Sequence, residues 1–155
     1  MPPAASADAT RDSEVVDGVH RLGTDRINWY VVEADAGLTV VDAGLPAHYP
    51  QLAAWLDRRG YDLDDVGALV LTHGDADHAG FAGLLADRGV PVYCHAHDHH
   101  HLRDLPHGPP GWFLRNLWRP GFLRYVLEML RDGIRDVDAV TTIEPMPDGD
   151  VLPVP

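Results

Sequence analysis

The sequence predicts an α/β fold, and three observations carry that expectation. Two β-branched and aromatic runs, 27–33 and 37–41, flank the turn Ala34-Asp35-Ala36-Gly37, the pattern of a hairpin. Helix-like and strand-like stretches then alternate down the chain. Among the strands, residues 66–71 are almost continuously apolar, which implies cover on both faces.

Taken in order, residues 1–12 form a loose leader rich in Pro, Ala, Ser and Asp. It has no basic start and no apolar core, so a signal peptide is not expected. Residues 13–22 alternate around Val15, Val16 and Val19 and read as a first strand, with Gly18 as a turn or bulge. The hairpin follows, and Asp42-Ala43-Gly44 ends its second strand. Pro46 opens a helix over 47–59, where Leu52, Trp55 and Leu56 share a stripe and Gly60 supplies the stop. After strand 66–71 come a helix over 78–87 closed by Gly89, a strand over 90–94 and a helix over 96–104.

Pro106-His107-Gly108-Pro109-Pro110-Gly111 breaks the alternation. An amphipathic helix over 122–132 resumes it, with Phe122, Val126 and Leu130 on one face beside Leu123 and Leu127. Residues 137–143 read as a last strand and 145–150 as a turn. No repeat or second domain is visible, so 13–155 is expected to be one domain, the half of an α/β sandwich.

The 155 residues include 24 Asp plus Glu against 12 basic residues, all Arg, for a net charge of -12. Such a surface repels nucleic acid and anionic lipid, so neither is expected as a partner. An Asp-rich, Lys-free surface also suits a protein hydrated in concentrated salt, as in a halophile, although a GC-rich genome favours Arg over Lys as well. The lone Cys94 excludes an intramolecular disulfide and, with no membrane-length apolar segment, points to the cytoplasm.

The chemistry concentrates where strand 66–71 stops. His73-Gly74-Asp75-Ala76-Asp77-His78 places two imidazoles and two carboxylates within six residues. A strand feeding a helix through such a turn presents them at the carboxyl edge of a sheet, where α/β folds bind ligands. Both donor types suit divalent cations. The competing reading is an acidic turn with an Asp helix cap.

That stretch, with Leu71-Thr72 before it and Ala79-Gly80 after it, resembles the His-x-His-x-Asp-His metal motif of the metallo-β-lactamase-fold hydrolases, with Asp75 replacing the second His. Val40-Val41-Asp42-Ala43-Gly44 resembles the family's strand ending in Asp-x-Gly. The resemblance implies a metallo-β-lactamase-like αββα sandwich truncated after its first half. It implies metal ligation by His73 and Asp75 at one ion and by Asp77 and His78 at a second, with zinc in both. The harder Asp75 carboxylate makes iron or manganese more competitive. The activity implied is hydrolysis by a shared, metal-activated hydroxide, oriented by Asp77, on an ester, thioester, lactone, lactam or phosphoester of a small-molecule substrate.

Further ligands of the family pattern would lie beyond Pro155, after a segment resembled by residues 146–153, so weak metal binding and little turnover are expected. The alternative is a catalytically incomplete remnant acting as a metal-binding or protein-interaction module.

Asp42 reads either as a partner that fixes a ligand histidine or as a cap for its own turn. The tract His95-Ala96-His97-Asp98-His99-His100-His101 reads either as extra ligation or as a solvated helix start that binds metal adventitiously, with His95 lining the pocket. Trp112, Phe113, Leu114, Leu117 and Trp118, interleaved with Arg115 and Arg119, suggest a lid, a homodimer contact over 112–130 or an ordinary core helix. Cys94 is expected as a buried small hydrophobe, and His20, His48 and His107 as surface residues.

Overall fold

The structure is a computed structural model that describes residues 12–103, 115–116, 118–146, 149 and 151–155. A seven-stranded sheet runs in sequence order: β1 (Ser13–Val16), β2 (Val19–Gly23), β3 (Asn28–Ala34), β4 (Gly37–Val41), β5 (Val66–Val70), β6 (Val92–His95) and β7 (Glu144–Met146). The first four strands pair antiparallel and the rest parallel. The change falls where tight hairpins give way to helical crossovers, as parallel pairing requires.

Among the described residues four α-helices accompany the sheet: α1 (Tyr49–Arg59), α2 (Ala82–Asp87), α3 (His99–Arg103) and α4 (Pro120–Arg131). Alternation along the strands sends Trp29, Val31, Leu38, Val40, Leu69 and Cys94 into one core, where Leu52, Trp55 and Leu56 of α1 and Leu85 of α2 meet them. The parallel register aligns Val41 with Val70 and Val70 with Tyr93. The carboxyl ends of β4, β5 and β6 therefore share one edge. This is the α/β architecture expected, built around one sheet among the described residues.

Several boundaries move. The expected first strand is two strands folded about Gly18, whose φ is 71°. The helix expected from residue 78 begins at Ala82. Backbone groups of residues 78–81 are spent across the chain instead: Ala43 N–H donates to His78 O (2.6 Å), Gly80 N–H to Gly44 O (2.8 Å) and Phe81 N–H to Ala43 O (3.2 Å). The strand expected over 137–143 lies at Glu144–Met146, and Pro145 falls in it rather than in a turn. Upstream of it, Val140 is buried and donates its N–H to Leu102 O (3.0 Å), so this segment packs on the end of α3 before the chain reaches the sheet.

His20 and His48, expected at the surface, are buried. His20 shares the inward face of β2 with Leu22; its Nε2 lies 2.6 Å from Glu33 and its Nδ1 3.1 Å from the Arg59 guanidinium. His48 accepts the Leu45 N–H through Nδ1 (3.2 Å). His107, Trp112, Phe113, Leu114 and Leu117 lie outside the described residues.

Candidate metal centre

The site is built on the carboxyl ends of β4 and β5. Asp42, one residue past β4, is the only non-glycine among the described residues with positive φ (62°). A side chain with a Cβ resists that conformation, so the surroundings must impose it. They do: Asp42 N–H donates to Val70 O (2.9 Å), and the next residues are stitched to 78–81 as described. Gly80 allows that stitching. A Cβ there would stand 2.3 Å from Gly44 O and from Leu45 Cα.

The twist turns the Asp42 carboxylate back under the motif. Oδ1 accepts the Thr72 N–H (2.8 Å), the Thr72 hydroxyl lies 3.0 and 2.9 Å from the two oxygens, and His78 Nδ1 lies 2.9 Å from Oδ2. A carboxylate only accepts, so His78 Nδ1 carries its proton. The single Thr72 proton goes to the charged oxygen, leaving the hydroxyl to accept from His73 Nδ1 at 3.0 Å. One carboxylate thereby sets the tautomer of both imidazoles. In its neutral form each ring then presents a bare Nε2 lone pair, the form in which histidine ligates cations. The two rings stand 4.0 Å apart between centroids.

Burial pushes the Asp42 carboxyl up, but the bonds from His78 and Thr72 outweigh it and hold it below the ordinary carboxylate range. The Asp42 bond lifts His78 above the ordinary imidazole value; burial opposes this, and the charges of Asp42, Asp77 and Asp75 add to it.

Asp75 stands 61% exposed, with Oδ2 3.5 Å from His73 Nε2 and Oδ1 3.9 Å from His101 Nδ1. Asp77 is half-buried, and its charge is felt at His78 and at Tyr125 of α4. His95 ends β6 at the same edge, but its Nδ1 accepts the His97 N–H (3.3 Å), so it caps its own turn. The structure thus brings His73, His78, Asp42 and Asp75 together. As these side chains stand, no three His, Cys, Asp or Glu among the described residues converge tightly enough to grip one ion. The donors fit a divalent cation in type and tautomer, and they arrive in pairs.

Sequence reasoning counted Leu71-Thr72 among the residues that resemble the motif's flank but gave Thr72 no role of its own. Cys94 is buried, and burial, then the charge of Asp98, pushes its thiol up to about 11, which suits a packing residue. A cleft of about 500 Å³ opens between Thr24–Ile27 and α4, lined by Leu45, Tyr125, Met129 and three arginines. Arg26 and Arg124 both pair with Glu128, at 2.8 and 2.7 Å. Trp118 (80% exposed), Leu123 and Leu127 stand at the surface.

Residues 22–152 match the family model of the metallo-beta-lactamase superfamily. A probable metallo-hydrolase of Bacillus subtilis, YflN, is 27% identical over 112 residues, covering 70% of this chain and 42% of its own. Among solved structures, a B3 metallo-beta-lactamase with an active-site glutamic acid is 25% identical (TM-score 0.63; 88% of this chain and 46% of that one). BJP-1, a subclass B3 enzyme of Bradyrhizobium japonicum, is also 25% identical (TM-score 0.52; 59% and 35%). The chain spans less than half the length of these relatives.

Proposed function

Because the chain belongs to the metallo-beta-lactamase superfamily, we propose that it is a metal-dependent hydrolase site in which His73 and Asp75 hold one divalent cation and Asp77 and His78 a second. The observation that carries the reading is the Asp42 network, which leaves two neighbouring imidazoles with bare Nε2 atoms beside carboxylates. Asp75 Oδ2 lies 3.5 Å from His73 Nε2, so a carboxylate stands beside that ring. An active-site carboxylate has a precedent in the solved relative with an active-site glutamic acid.

A zinc, iron or manganese ion bound here supplies Lewis acidity and lowers the pKa of water. The chain's own work is positional. Asp42 and Thr72 fix the two rings, Asp77 orients the attacking water, and the cleft beside Leu45 and Tyr125 receives a small organic substrate. Esters, thioesters, lactones, lactams and phosphoesters all fit this chemistry. A cytoplasmic location suits the lone buried cysteine, and no helix among the described residues is long and apolar enough to cross a membrane.

The arrival of the donors in pairs favours a second reading, a metal-binding or protein-interaction module without turnover, with the exposed α4 face as a self-contact. Metal analysis after dialysis with zinc, joined to hydrolysis assays on an ester, lactone and phosphoester panel, tests the proposal. Bound metal with turnover that His78→Ala abolishes upholds it; bound metal without turnover selects the module.

A further inference from the structure

We propose that the groove lined by Trp118, Arg119, Phe122, Tyr125 and Arg26 binds a small carboxylate carried on an apolar body, with Arg119 selecting the charge. The sequence left the aromatic and arginine stretch before α4 open between a lid, a homodimer contact and a core helix. Trp118 does not belong to the core, since it is 80% exposed. It lines a groove of about 560 Å³ with Phe122, Tyr125 and the two arginines. Small-molecule sites have this size and this make-up, apolar walls with a few polar groups among them. The groove shares Arg26 and Tyr125 with the cleft beside Leu45, so the two adjoin.

Charge decides the occupant. On a chain of net charge -12, the described residues lining this groove include two arginines and no carboxylate. Arg26 is held by Glu128 (2.8 Å) and stands over the Tyr125 ring at 5.9 Å. Glu128 also takes Arg124 (2.7 Å), so one carboxylate answers two guanidiniums. Arg119 is exposed and forms no ion pair among the described residues. Its planar fork matches a carboxylate, which accepts two parallel bonds from it. Phe122 and Tyr125, 6.3 Å apart between ring centroids, and the Trp118 ring give the apolar body its contacts. A cation would meet two like charges here, and a neutral body would leave Arg119 unanswered.

The test is equilibrium dialysis of the intact, metal-free chain against 2-naphthoate and its neutral counterpart 2-naphthamide. Wild type, Arg119→Gln, Trp118→Ala and Arg88→Gln are compared, each checked for folding by circular dichroism. Arg88, exposed at the end of α2, is the control. We expect one saturable site that prefers naphthoate to the amide by about fivefold or more, the upper end for a charge pair at an exposed guanidinium. Arg119→Gln should erase that preference, Trp118→Ala should weaken both probes, and Arg88→Gln should change neither. No saturable uptake of naphthoate, or equal affinity for the two probes in wild type, overturns the inference. So does an Arg119→Gln variant that keeps the preference. Equal losses in Arg88→Gln and Arg119→Gln overturn it in favour of general attraction by arginines. A chain that sediments as a dimer, turns monomeric in Trp118→Ala and takes up no naphthoate overturns it in favour of a second copy. If Arg119→Gln misfolds, the wild-type comparison of the two probes decides alone. With metal removed, none of these outcomes bears on the metal-site reading.

Discussion

Oδ2 of Asp42 lies 2.9 Å from Nδ1 of His78, thirty-six residues away in sequence, and this contact sets the geometry of the edge. It fixes one imidazole directly and, through Thr72, the other. Asp42→Asn keeps the size and one acceptor but loses the charge that draws both protons. The loss of a partner of this kind usually costs about 10–100-fold in metal affinity. That weakening is expected in a Zn²⁺ competition assay, together with a fall of roughly 1–3 kcal/mol in urea stability from the buried bonds it spoils.

Gly80→Ala drives a Cβ into the backbone of Gly44 and Leu45, neither of which can swing aside. A loss of about 3 kcal/mol or more, or failure to fold, is expected on grounds of overpacking. Gly121 in α4 has nothing within 4 Å of a built Cβ. Gly121→Ala should therefore stabilise by about 0.5–1 kcal/mol through the unfolded chain and helix propensity. Urea midpoints of the two variants moving in opposite directions check both.

His20 sits fully buried between Glu33 and Arg59, with its ring 5.2 Å from that of Trp55. His20→Ala leaves a cavity and two deprived partners, so a cost of about 2–4 kcal/mol is expected. His97→Ala, on the exposed turn after β6, should fall within about 0.5 kcal/mol of wild type. Chemical denaturation of both variants makes the comparison.

Burial holds His48 below the ordinary imidazole value, and the charge of Asp132, 4.0 Å away, draws it partly back. A depressed folded pKa means the unfolded chain takes the proton first as pH falls. His48 therefore subtracts nothing above about pH 6.5 and erodes stability below it, at no more than about 1.4 kcal/mol per pH unit. His48→Asn retains an acceptor for Leu45 N–H without the titration. Wild type should lose more stability than this variant between pH 7 and 5.5, measured by urea midpoints at each pH.

Much of this was legible because it is local. β-Branched and aromatic runs on either side of a glycine turn placed β3 and β4, and the donor spacing located the motif at the end of β5. Asp42 stood out through its strand-end context. What stayed hidden depends on partners distant in sequence. The start of α2 was masked because residues 78–81 hydrogen-bond to the Asp42 loop rather than to their own turn. His20 read as a surface residue because the ion partners that permit its burial lie 13 and 39 residues away, although its alternation with Leu22 already placed it inward. The approach of His101 to Asp75 needed the packing of α3 on Gly74, which no spacing encodes.

The most direct test of the account is calorimetric titration of metal-free protein with Zn²⁺ and Mn²⁺, wild type beside the double variant His73→Ala, His78→Ala. Saturable binding by wild type, weakened at least tenfold in the folded double variant, is the expected result. Equal binding by the two proteins would contradict it, since the cation would then be held somewhere other than the imidazoles that Asp42 orients.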